Sequence, residues 1–134
     1  MTYKYQLKRK KYKMPKKINS PTTIKSAGNK PKTIHEYIGS VNTKTTNLSI
    51  AHMKSPSGWS EPGQKPDFDE YTIVLDGMLK VDTEGDTLFI NTGEAIIVFA
   101  GEWVRYSTPE KNGARYIAVC IPAFMPETVN RDKA

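Results

Sequence analysis

From Pro21 onward no stretch of the chain carries a helical stripe of useful length. Its apolar residues come instead in short β-branched and aromatic runs broken by Gly, Pro, Asn and Asp. Such runs, with turn residues about every eight to twelve positions, are the pattern of an all-β sandwich or barrel. Strands are predicted over Thr33–Ile38, Asn47–Met53, Tyr71–Leu75, Met78–Asp82, Thr87–Ile90, Ala95–Phe99, Val104–Thr108 and Arg115–Ile121. Asp76-Gly77 and Asn112-Gly113 are the strongest turn dipeptides, because Gly accepts a positive φ and Asp or Asn tolerates one. Ile121-Pro122-Ala123-Phe124-Met125-Pro126 is stiffened by its prolines and is expected to wrap the outside of the barrel.

With 134 residues, 37% of them hydrophobic, the chain is long enough for one core and too short for two. The expected organisation is a basic tail over 1–20 and a single domain over 21–134. No apolar run approaches the ~18 residues of a membrane span, and the basic N-terminus has no signal-peptide core, so the expected location is the cytoplasm. Cys120 is the one cysteine; it lies in an apolar run and is expected to be a buried, inert thiol.

The net charge of +6 is unevenly spread. Residues 1–20 hold eight basic side chains and no acidic one, so the remainder is slightly acidic. Too little apolar surface lies in that tail to offset the entropy of ordering it, and disorder is expected. Tyr3, Tyr5 and Tyr12 between the lysines would suit nucleic acid, but a lone basic run more often serves solubility.

Gly58 to Gly77 reads G-W-S-E-P-G-Q-K-P-D-F-D-E-Y-T-I-V-L-D-G, and G-E-A-I-I-V-F-A-G-E-W-V-R-Y-S-T follows from Gly93. These two stretches resemble the paired motifs of small single-domain, RmlC-like cupins, G-x5-H-x-H-x3-E-x6-G and G-x5-P-x-G-x2-H-x3-N. Gln64 and Pro66 stand at the two histidines of the first motif and Glu70 at its glutamate. Phe99 stands at the proline of the second, Gly101 at its glycine, Val104 at its histidine and Thr108 at its asparagine. The fifteen residues between Gly77 and Gly93 match compact bacterial cupins. The resemblance implies a double-stranded β-helix, the cupin jelly-roll barrel, over about Thr33 to Ile121. It also implies a homodimer, since small barrels of this family commonly pair through their outer sheets.

In metal-bearing cupins three histidines and the glutamate hold the ion. Pro66 and Val104 carry no donor atom, so no metal site and no cofactor are expected. His52, Gln64 and Glu70 are the poor set that a metal could recruit. Glu70, freed from metal duty, is the candidate catalytic acid/base, with Tyr106 as its partner. Strand alternation that turns Glu70 inward also turns Thr72 and Val74, and Val104 brings Tyr106. Walls of Val74, Val104 and Phe99 should raise the Glu70 pKa by desolvation.

Gln64, Thr72, Arg105 and His52 are the candidate contacts to a small-molecule substrate. Arg105 would follow alternation to the surface unless a bulge re-aims it; His52 shares one face with Leu48 and Ile50, Ser49, Ala51 and Met53 share the other, and either set could line the barrel. Trp59 and Trp103 suit core or dimer contacts, and His35 a structural role. Glu61, Asp67, Asp69 and Glu70 form an acidic loop that matches no calcium motif. The reaction class that needs no metal is isomerisation or elimination; passive ligand binding or sensing is the alternative. No phosphate loop, nucleophile elbow, Cys pair or H-E-x-x-H is present.

Overall fold

The computed structural model describes residues 14–133. The predicted tail falls largely outside them; the part that is described, residues 14–20, has no regular structure. Nine strands follow: β1 Thr22–Ile24, β2 Thr33–Ile38, β3 Ser49–Ser55, β4 Trp59–Ser60, β5 Asp69–Thr83, β6 Thr87–Asn91, β7 Ala95–Val98, β8 Val104–Thr108 and β9 Ala114–Ile121. A single 3-10 turn, Pro126–Thr128, comes after them. No helix among the described residues is long and apolar enough to cross a membrane.

The strands run in the order β1-β2-β3-β9-β5-β8-β4, every neighbour antiparallel, with β6 and β7 also paired to β5. β5 organises the barrel. Its first half pairs with β7 and β9, and its second half with β6 and β8. The predicted hairpin turn at Asp76-Gly77 is therefore a bend inside one 15-residue strand. The register against β9 shifts between Val74 and Asp76, and a bulge of that kind turns a strand from one sheet into the next. Gly77 has φ +79°, and a Cβ there would stand 2.1 Å from the carbonyl oxygen of Gly113. Only glycine permits this corner to close.

Alternation sorts the side chains of each strand. Val74, Leu79, Val81, Val104, Tyr106 and Tyr116 point inward around the fully buried Trp59. A smaller cluster of Phe68, Cys120 and Val129, with Phe124 against it, closes one end. Phe68 and Phe124 meet edge to face at 6.0 Å, a favoured aromatic geometry.

The C-terminal segment does not wrap the outside. Burial of Ala123 and Val129 draws it back over this end, and its backbone is pinned where Ala123 N donates to Thr46 O and Asp132 N to Gly63 O. Phe99, expected in the wall near Glu70, is 55% exposed, because β7 ends at Val98 and the chain turns outward.

Candidate ligand-binding site

The inward faces of β2, β3, β5, β8 and β9 enclose a cavity of about 60 Å³. That is room for a few waters or a compact ligand group. A wider, more open cavity of about 660 Å³ adjoins it and shares Ile24, Lys25, Ala27, Phe124 and Arg131 with it. The smaller chamber thus adjoins a vestibule between the N-terminal strand and the returning C-terminal segment.

Glu70 sits inside the chamber, buried on β5. The Tyr106 hydroxyl on β8 donates to Glu70 Oε1 at 3.0 Å. The thiol of Cys120, directly opposite Glu70 on β9, reaches Oε2 at 3.8 Å. Desolvation raises the Glu70 pKa above the usual carboxylate value, and repulsion from Glu61 adds to it; the bonds from Tyr106 and Cys120 and the charge of Lys32 offset this only in part. Burial, then the neighbouring Glu70 carboxyl, holds the Tyr106 hydroxyl well above its ordinary range. Tyr106 therefore keeps its proton and orients the carboxyl group.

Gln64 is a short bridge rather than part of a strand. Its backbone pairs with Val104 in both directions at 2.9 Å and with Arg131 on its other side. The Arg131 Nη1 donates to Gln64 Oε1 at 2.7 Å and to Glu61 Oε2 at 3.2 Å. Thr72, two residues along from Glu70, lines the same chamber. Glu70, Tyr106, Gln64 and Thr72 are thus brought together.

His52 and Arg105 are not. On β3 it is Ser49, Ala51 and Met53 that line the cavity, so alternation turns His52 outward, where its Nε2 lies 3.2 Å from the exposed Arg115. Burial, and then the charge of Arg115, lowers the His52 pKa. Arg105 lies in register with Asp82 on the outer face and pairs with it at 3.1 Å. No bulge re-aims it. Both are corrections to the substrate contacts expected from sequence.

Polar cavity residues that the sequence reading does not single out include Lys32, Glu36, Tyr116 and Arg131, and Glu61 is expected there only as part of the acidic loop. Lys32 was readable by alternation, since Ile34 and Glu36 follow it inward on β2. Tyr116 is likewise in phase with Ala118 and Cys120. Arg131 had no local signal, because only the fold brings the C-terminus back to Gln64. The Lys32 Nζ stands 4.2 Å from the Trp59 ring centroid and 5.2 Å from that of Tyr116. Its burial works to lower its pKa, but Tyr116, Glu61 and Glu70 outweigh this and the net shift is upward.

The donor set does not suit a transition metal. Among the described residues no three His, Cys, Asp or Glu side chains cluster to hold one. Val104 and Pro66 are fully buried without donor atoms, His52 faces outward, and the Gln64 amide oxygen is taken by Arg131.

Residues 43–126 match the family described as ethanolamine utilisation protein EutQ. The chain belongs to the EutQ family. The EutQ protein of Clostridium difficile superposes with a TM-score of 0.53 at 22% identity, over 69% of this chain and 64% of that one. The polyketide cyclase RemF of Streptomyces resistomycificus superposes at 0.70 and 17% identity, over 92% and 88% of the two chains. KdgF of Halomonas sp. superposes at 0.60 and 15%, over 72% and 82%. These likenesses confirm the cupin jelly-roll barrel.

A protein of Myxococcus xanthus (strain DK1622) named Endoribonuclease YbeY is 42% identical over 101 residues, 75% of this chain and 34% of that protein. The EutQ-family chain thus spans about a third of the length of the curated relative it matches.

Proposed function

We propose that this EutQ-family barrel binds a small molecule in its interior chamber and exchanges a proton with it through Glu70, as a metal-independent isomerase or lyase would. One observation carries this reading: a carboxyl group, desolvated and held by Tyr106 at 3.0 Å, faces a chamber that adjoins a vestibule. A carboxylate with a raised pKa is a stronger base than one in water, and is suited to remove a proton from carbon beside a carbonyl. Tyr106 fixes the carboxyl orientation. Gln64 and Thr72 then place the ligand, Gln64 through its amide nitrogen, since Arg131 occupies the oxygen.

The test is a thermal-shift screen of small carbonyl and hydroxy compounds, followed by proton NMR of each stabilising compound in D2O. The expected result is deuterium entering a C–H position with the wild-type protein and none with Glu70→Gln, which still binds. A passive binding or sensing role is favoured by the fact that both Glu70 oxygens already have donors. Compounds that raise the melting temperature but never exchange would select that role and overturn the catalytic one.

We also propose a homodimer. Ile73, Ile97 and Ile121 lie exposed on the outer face of β5, β7 and β9, with Tyr71 in register between Ile97 and Val119. A second copy of the chain would cover this aliphatic patch. Light scattering should give twice the chain mass for the wild type and the chain mass for Ile73→Glu/Ile97→Glu; a monomeric wild type contradicts the pairing.

A further inference from the structure

Among the charges that line the cavity, Lys32 and the exposed Lys25 have no carboxylate of their own. Arg131 is committed to Glu61 and Gln64. Glu36, also at the wall, accepts from the backbone N–H groups of Val41 and Asn42 at 3.0 and 2.9 Å. No carboxylate oxygen among the described residues lies within 4.0 Å of the Lys32 ammonium. The ammonium is instead positioned by two aromatic faces, each itself fixed. The Trp59 Nε1 donates to Ala27 O at 3.1 Å, and the Tyr116 hydroxyl bonds Ser55 Oγ at 2.9 Å. Two ring faces stabilise a cation and hold its stem in one place, yet they supply no oxyanion for its N–H donors.

We propose that Lys32 is a ligand-anchoring residue of this chamber, taking an anionic oxygen of the bound molecule, and that the ligand is a small carboxylate. The proposal rests on the interior chamber being the binding site, but not on Glu70 moving a proton. The commitments of the other charges support it. Arg131 is paired with Glu61 and Glu36 is held by backbone N–H groups, so the N–H donors of Lys32 remain for an anionic oxygen of the ligand. A charge-assisted bond to a desolvated, pre-oriented ammonium discriminates strongly between an anion and its neutral isostere. The dimensions agree: the chamber takes a compact group, and anything larger must extend into the vestibule.

The experiment compares propanoate with propanamide, two probes of similar size that differ in charge. Each is titrated against wild type, Lys32→Met, Lys32→Arg and Arg105→Met. Wild type should bind propanoate at least about tenfold more tightly than propanamide. Lys32→Met should abolish the preference and Lys32→Arg should retain part of it, whether or not Glu70 proves to exchange protons, while Arg105→Met, altered on the outer face, should keep it. If Lys32→Met does not fold, the 15N signal of the Lys32 ammonium in wild-type protein, assigned by its loss in Lys32→Arg, decides. It should shift with propanoate and stay unmoved with propanamide. Equal binding of the two probes by wild type, a preference that survives in Lys32→Met, or a Lys32 signal that ignores propanoate would overturn the assignment.

Discussion

The Tyr106 hydroxyl donates to Glu70 Oε1 across 3.0 Å, tying β8 to β5 inside the barrel. The bond favours the charged carboxylate and so works against the desolvation that raises the Glu70 pKa. Tyr106→Phe should therefore push that pKa higher still. It should also cost about 1–3 kcal/mol of stability, since a buried acceptor loses its donor. Chemical denaturation measures the second effect, and a loss near zero would mean that the bond contributes little in solution.

Glu70→Gln separates the structural from the functional cost of the same carboxyl group. Because the folded-state pKa lies above the unfolded one, protonated Glu70 is the form that the fold prefers. Its contribution is fully present below the unfolded pKa and is lost as pH rises through the folded pKa. The neutral amide carries no such loss. Melting temperatures across pH should then favour Glu70→Gln by a margin that grows above the ordinary carboxylate range and levels off. A margin that turns against Glu70→Gln as pH rises would show that Glu70 is held as the anion.

Cys120 should behave as a core residue. Burial, and then the neighbouring Glu70, drives its thiol pKa far upward, and only the thiolate is nucleophilic. Iodoacetamide at mildly alkaline pH should leave the native protein unmodified and label it fully once denatured; mass spectrometry reads both. Rapid labelling of the native protein would contradict the packing of β9 against β5.

How far the chain could be read without coordinates depended on whether each signal was local. Thr33–Ile38 and Val104–Thr108 form strands at the predicted bounds, because each is a β-branched and aromatic run with turn residues on both sides. The glycine frame led to the cupin barrel for the same reason. Asp76-Gly77 misled because the same dipeptide serves a hairpin or a corner, and only the pairing of β5 with strands of both sheets decides which. β1 and β4, three and two residues long, are too short for any periodicity. In the site, Glu70, Thr72 and Tyr106 followed from alternation once the frame was set. Lys32 was legible only through its phase with Ile34 and Glu36, and Arg131 arrives by a chain reversal that nothing nearby encodes.

Gly77→Ala tests the corner. The positive φ alone should cost about 1–3 kcal/mol, and the clash with the Gly113 carbonyl oxygen adds to it, since that atom belongs to the backbone and cannot rotate away. The variant should melt well below the wild type. A change within about 0.5 kcal/mol would mean that β5 does not bend there.

The protonation of Glu70 is the most direct test of the site as a whole. Carbon-13 NMR of glutamate side-chain carboxyls, with the Glu70 signal assigned by its loss in Glu70→Gln, would follow its titration in the intact protein. The expected midpoint lies above the ordinary glutamate value of about 4.3 and moves higher in Tyr106→Phe. A midpoint at or below that value, unmoved by the loss of Tyr106, would contradict a desolvated proton-exchanging carboxyl group in the barrel.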